Sequence, residues 1–185
     1  MSLFGDGLDA AVQKAFTRPV PKSAPAQMRY LVKQFKSTRA VAQMLRISQR
    51  TVERYVKDQI KKPRPDLAAR LEREVKKRWQ PQIRAEARKK AATTGGIVID
   101  TRARIGYTAP IGTTDEDRIR HLTVALPPRY AARLFDAREQ GASDQQLQRI
   151  AAEALKEMYF QDNGRRAGQL EEVRFTDIEH LEFDL

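Results

Sequence analysis

Three stretches of this chain carry side chains whose types and spacing suit a chemical task. The first is Gly112-Thr113-Thr114-Asp115, two hydroxyls beside a glycine and just ahead of Glu116 and Asp117. A threonine hydroxyl is a poor nucleophile unaided, so its role there would be that of an acceptor. A visiting enzyme must bring the base and metal ions that move a phosphoryl or nucleotidyl group onto it. The same residue types also make ordinary turns, and adjacent acids in a loop are usually solvated rather than metal-bound. The second stretch is Ser37–Lys57, STRAVAQMLRISQRTVERYVK. Its Gln49, Arg50, Thr51, Glu53, Arg54 and Lys57 fall on the open face of a short helix, and all but the acid suit reading base edges and gripping phosphates. The third is the basic run from Asp66 to Lys90, where Arg70, Arg73, Lys77, Arg84 and Arg88 are spaced along helical faces. Such a run suits a DNA backbone, each phosphate contact adding salt-dependent affinity. A solvated linker helix has the same composition.

Chemistry that the chain would perform by itself is not legible. His121 and His180 are isolated in sequence, cysteine is absent, and neither GxxxxGK[ST] nor GxGxxG occurs. No Ser/His/Asp arrangement and no zinc cluster follows from two scattered histidines. The expectation is a chain that is not an enzyme, with no catalytic residue, no metal ion and no cofactor.

Charge points the same way. The chain has 185 residues and a net charge of +11, unevenly placed. Residues 1–94 hold 23 Lys and Arg against 8 Asp and Glu; residues 95–185 hold 12 against 16. A basic half joined to a mildly acidic half suggests a polyanion-binding module attached to a part with another task. No apolar run approaches the ~20 residues of a membrane span, and the N-terminus lacks the build of a signal peptide. The expected setting is cytoplasmic, on DNA, without a membrane.

The elements that must position these residues follow from periodicity. Residues 6–16 read as a helix with Leu8, Ala11, Val12, Ala15 and Phe16 on one face. The prolines of Thr17–Pro25 force an extended segment. Pro25 then opens a helix carrying Met28, Leu31, Val32 and Phe35. Within Ser37–Lys57, Val41, Ala42 and Leu45 form the apolar face of one helix, with Thr38 suited to cap it. Ile47 points inward from a tight turn, Ser48 caps the next helix, and Val52, Tyr55 and Val56 form its buried face. This is a helix-turn-helix pattern. It departs at Arg46, which occupies the turn position where glycine is commonest, at a cost in strain if the residue is left-handed.

After Lys61-Lys62-Pro63-Arg64-Pro65 comes a helix with Leu67, Leu71, Val75 and Trp79 four residues apart, broken at Pro81 and followed by a second basic helix up to Thr93-Thr94-Gly95-Gly96. From Ile97 the period becomes two: Ile97, Ile99, Thr101, Ala103, Ile105 and Tyr107 alternate with a basic-leaning face. A polar loop, 109–117, leads to a second strand, 118–126. Pro127-Pro128 opens a helix, and Ser143 with Gln146 forms a capping box for another. Two architectures fit 97–160. In one, the two strands pair as a hairpin. In the other, 118–160 is a ribbon-helix-helix unit and an obligate dimer, with His121, Thr123 and Ala125 facing outward. The tail from Gln169 to Leu185 spaces Val173, Phe175, Ile178, Leu181 and Phe183 as an edge strand or a docking segment. The reading is an α+β fold: a helical module over 1–62 with the helix-turn-helix at 37–57, a basic helical arm over 63–94, and an α+β domain over 95–185.

The chain, from MSLFGDGLDAAVQKAFTRPVPKSAPAQMRYLVKQFKSTRAVAQMLRISQRTVERYVK through TRARIGYTAPIGTTDEDRIRHLTVALP, resembles the telomere terminal proteins of Streptomyces linear chromosomes and plasmids, over essentially its whole length. The resemblance implies a protein bound covalently to the 5′ ends of linear DNA. A DNA polymerase would link the first deoxynucleotide to a protein hydroxyl, which then primes synthesis to fill the recessed end. It also implies a separate telomere-binding protein that brings the chain to the 3′ single-strand overhang. A threonine is the implied acceptor, and the matching position is Thr114, with Thr113 as fallback and Tyr107 and Thr108 behind it. The rival from another class is a dimeric helix-turn-helix or ribbon-helix-helix regulator of transcription or partition that binds duplex DNA reversibly.

Overall fold

Apolar spacing divides the chain into helices and strands much where the periodicity changes. The computed structural model describes residues 2–108, 115–160 and 172–185, with backbone alone at 108 and 115–117. The fold is α+β, as its sequence implies. Eight helices are described: α1 (Leu3–Lys14), α2 (Ala24–Phe35), α3 (Thr38–Leu45), α4 (Gln49–Val56), α5 (Pro65–Arg78), α6 (Pro81–Lys90), α7 (Pro128–Glu139) and α8 (Asp144–Leu155). A single antiparallel sheet runs in the order β2-β1-β3, from β1 (Ile97–Thr108), β2 (Asp115–Leu126) and β3 (Glu172–Asp184).

The compact units do not follow the expected bounds at 62/63 and 94/95. One unit is Thr17–Pro81; the other joins Met1–Phe16 to Gln82–Leu185. The reason lies in where apolar stripes are buried. Leu67, Leu71 and Val75 of α5 share a core with Met28, Leu31, Val41, Leu45 and Val52. Full burial of such a side chain is worth about 2 kcal/mol, so α5 is a fourth helix of the helix-turn-helix unit and not an arm. Phe4, Leu8, Ala11 and Val12 of α1 are buried instead with Ile97, Ile99, Leu134 and Phe183 in the other core.

A polar anchor holds α1 in place there. Asp144, in the first turn of α8, accepts hydrogen bonds from the backbone N–H groups of Leu3, Phe4 and Gly5 at 2.8, 2.9 and 3.1 Å, and from the Ser2 hydroxyl at 2.8 Å. One carboxylate thus satisfies three of the four orphan donors of a helix start. Hydrogen bonds to a charged group contribute roughly 1.5–3 kcal/mol. Asp144→Ala is therefore expected to lower the stability of this unit by about 2 kcal/mol and to open the amides of residues 3–8 first. Hydrogen exchange read by mass spectrometry checks both.

The β1–β2 hairpin is formed, with Ile97 opposite Leu126 and Ile105 opposite Arg118. The alternation holds: Ile97, Ile99, Thr101, Ala103 and Ile105 are buried, whereas His121, Thr123 and Ala125 are exposed. In this chain β1 lies along one edge of β2, which is the pairing of the hairpin reading and not that of a ribbon-helix-helix strand. The tail supplies β3 on the other side of β1. Between Arg102↔His180 and Arg104↔Thr176, three residues of β3 oppose Ala103 alone, with Asp177 at φ 46°. Two extra residues keep the side-chain parity that a single one would flip, so Phe175 and Phe183 are both buried. Gly96, at φ 72°, ends the π-helical turn Ala91–Gly95. A Cβ there would meet the Leu126 carbonyl oxygen at 2.3 Å, so glycine is required where β1 begins.

Candidate nucleic-acid interface

The helix-turn-helix is built by caps at both of its helix starts. Ser37 caps α3 by accepting from the Ala40 N–H at 3.1 Å; the cap is thus Ser37 and not Thr38, which has helical geometry as the first residue of α3. Ser48 caps α4, accepting from the Thr51 N–H at 3.1 Å. Between them Arg46 is left-handed, φ 55° and ψ 49°, with its N–H bonded to the Gln43 carbonyl and the Ile47 N–H to the Ala42 carbonyl. That is the hydrogen-bond pattern of a Schellman turn with arginine in the position glycine favours. A side chain in this conformation costs about 1 kcal/mol. Val41, Ala42, Leu45, Val52 and Tyr55 are buried as expected, and Ile47 and Val56 pack against them half-buried. Arg29 braces the far end of α4, donating to the Val56 carbonyl at 3.2 Å and to Asp58 at 2.7 Å. Tyr30 donates its hydroxyl to the Arg78 carbonyl and packs its ring on Trp79 at 4.8 Å, tying α2 to the end of α5.

The open face of α4 carries the expected side chains. Arg50, Arg54 and Lys57 are exposed, lie at i, i+4 and i+7, and form no ion pair among the described residues. Gln49 is exposed but donates to Glu53 at 2.9 Å, and Thr51 shares a 2.8 Å hydrogen bond with Ser48. The stripe is therefore cationic, with two hydrogen-bonding side chains already oriented. On α5, Arg73 and Lys77 are exposed, and the half-buried Arg70 donates to the Asp66 carbonyl at 3.3 Å.

Arg84 and Arg88 leave the phosphate-contact set. Arg84 is only 9 % exposed and lies 3.4 Å from Asp9, with its guanidinium over the Phe16 ring. Burial, and then the neighbouring Arg88, lower its pKa. Arg88 pairs with Glu139, lies 3.9 Å from Asp9 and covers Phe135. Both guanidiniums are spent inside the fold because the second basic helix packs into a core where acids meet it.

Of the acceptor candidates, Thr113 and Thr114 lie outside the described residues. The two strands pair as far as Tyr107 with Asp115, so residues 115–117 of the expected loop belong to β2. Thr108 ends β1. Tyr107 is half-buried with its ring 5.5 Å from Phe160.

The sheet brings together what the sequence left apart. His121 on β2 lies 2.9 Å from Asp100 on β1, and His180 on β3 lies 3.9 Å from the same carboxylate. Thr123 donates to its other oxygen at 3.2 Å. The His121 hydrogen bond holds the Asp100 carboxyl below the usual carboxylate range. Arg102 stands in register with both histidines, paired to Glu179 at 2.8 Å. A guanidinium in that place opposes a metal cation, and no metal-ligating group of three is found among the described residues. Also among them, no helix is long and apolar enough to cross a membrane. No protein-family model, curated protein or solved structure matches the chain.

Proposed function

We propose that the chain is a DNA-binding protein primer. The helix-turn-helix of Thr17–Pro81 holds DNA, and Thr114, between β1 and β2, accepts the first nucleotide of a new strand from a DNA polymerase. The observation that carries the DNA half is the cationic stripe of Arg50, Arg54 and Lys57, without an ion pair among the described residues, on a helix capped and braced at both ends. Charges left unneutralised on a rigid helix suit a polyanion in the major groove. The acceptor half rests on the resemblance to terminal proteins and on the two hydroxyls that follow Gly112 in the sequence. In the transfer, the Thr114 oxygen attacks the α-phosphorus of a deoxynucleoside triphosphate. An O–P bond forms, pyrophosphate leaves, and the hydroxyl proton passes to the polymerase's base. The polymerase supplies the divalent ions; the chain supplies a hydroxyl, the nucleotide linked to it presents the 3′-OH to extend, and the chain has no catalytic role of its own. The expected partners are duplex DNA with its single-strand overhang, the polymerase and a separate telomere-binding protein, at DNA ends in the nucleoid.

Boiling the cellular complex in detergent separates this reading from that of a reversible regulator. Protein that stays on DNA ends supports the primer; protein released with no nucleotide adduct supports the regulator. The DNA half has its own test. Arg50→Ala/Arg54→Ala is expected to weaken duplex binding about 30-fold, since each base contact of this kind is worth roughly 1–3 kcal/mol. Fluorescence anisotropy on labelled duplexes measures it, and affinity equal to the native chain's would remove α4 from the interface.

A further inference from the structure

The cations of the helix-turn-helix unit gather at a second place besides the open face of α4. Elsewhere Arg29 pairs with Asp58, Lys76 with Glu72 and Arg78 with Glu74. Arg46, Lys62, Arg64 and Arg70 instead line one cleft of about 660 Å³ between the turn before α4 and the segment entering α5. Arg46, Lys62 and Arg64 are exposed and form no ion pair among the described residues. Asp66 is the one carboxylate in the lining, and the Ser48 and Thr51 hydroxyls stand on the α4 side. Four cations thus share one cleft with a single acid, a net positive surface that suits an anion. The backbone of Arg46 adds a second indication. Glycine would fit its left-handed conformation without strain, so what the arginine brings to this turn is its side chain.

We propose that this cleft grips the phosphodiester backbone of the DNA strand bordering the groove that α4 enters. Arg46, Lys62, Arg64 and Arg70 are the phosphate contacts; Arg50 and Arg54 read the bases. The proposal rests on the DNA-binding reading above and adds to it Arg46, Lys62 and Arg64, which make affinity without making sequence preference. It commits to the backbone of duplex DNA; the phosphates of a free nucleotide have the same chemistry and are separated by the test.

Arg46→Gly and Arg64→Ala in the full chain provide that test, with anisotropy on several unrelated short duplexes between about 50 and 200 mM salt. Each variant is expected to lose about fivefold in affinity, by the same factor on every duplex, and to reduce the slope of log affinity against log salt by about one. Arg46→Gly should melt no lower than the native chain, so its loss of affinity is not a loss of fold. Native affinity and slope in both variants, while Arg50→Ala/Arg54→Ala still loses DNA, would overturn the cleft and leave the DNA-binding reading standing. A native chain that binds no DNA overturns both. A deoxynucleoside triphosphate that saturates the native chain and not Arg64→Ala, with duplex binding intact in that variant, assigns the cleft to a mononucleotide and likewise overturns the proposal.

Discussion

Thr114→Ala is expected to end nucleotide transfer to this chain while leaving its fold and its affinity for DNA unchanged. The substitution deletes the one oxygen on which the O–P bond forms, so labelling should be lost outright and not merely slowed. Incubation with polymerase, template and a radioactive deoxynucleoside triphosphate, followed by denaturing electrophoresis, reads the adduct directly. Thr114→Ser keeps a hydroxyl at nearly the same place and should restore labelling. The polymerase's base and ions do the activating, so a serine loses only what its extra freedom costs in alignment. Undiminished labelling of the alanine variant would take Thr114 out of the scheme and pass the role to Thr113. Thr108 and the half-buried Tyr107 stand behind it. Mass spectrometry of the nucleotide-linked peptide names the residue in either case.

What was legible in the sequence divides by how local its cause is. The helix-turn-helix could be read because caps and apolar faces act within one or two turns: Ser48, Leu45 and Val52 take the places their spacing requires. Even there the cap of α3 moved one residue, to Ser37, since serine and threonine in tandem are equally able to accept the bond. The hairpin was legible because a period of two over Ile97–Thr108 calls for a partner, and the nearest apolar strand lay just beyond the loop. What stayed hidden involves residues far apart in the chain. The apolar stripe of α5 could be seen, but not which core would receive it. A guanidinium bound for phosphate and one bound for a carboxylate look alike in sequence, and so Arg84 and Arg88 read as DNA contacts. Their acids, Asp9 and Glu139, lie 75 and 51 residues away from them respectively. His121 and His180 met at Asp100 for the same reason: the strand order β2-β1-β3 is set by nonlocal pairing that no local period encodes.

The Asp9 site carries the largest expected effect on stability. In sequence Asp9 was an acid near the start of an amphipathic helix. In the fold its carboxylate faces three guanidiniums: Arg138 at 2.8 Å, Arg84 at 3.4 Å and Arg88 at 3.9 Å. Glu139 takes a share of Arg88 alone. Arg138 reaches this place past Gly5, where a Cβ would meet its Nη1 at 2.5 Å. Removing the acid takes a shared carboxylate from three partly buried cations, of which Arg88 keeps Glu139, and breaking a buried pair from one side typically costs 3–5 kcal/mol. These groups keep some contact with water, so Asp9→Ala should cost about 3 kcal/mol and lower the melting temperature by about 10 °C. Asp9→Asn keeps an acceptor but not the charge and should fall between. The decisive comparison is Asp9→Ala/Arg138→Ala, which removes one charge of each sign. If like-charge crowding is the cause, the double variant is more stable than the sum of the single losses predicts, by about 1–2 kcal/mol. Strict additivity would mean that the arginines hold α1 through packing over Phe16 and Phe135 and owe little to Asp9. DNA affinity is a further check, because α1 belongs to the other unit from the helix-turn-helix. At temperatures where the variant stays folded, duplex binding should be that of the native chain.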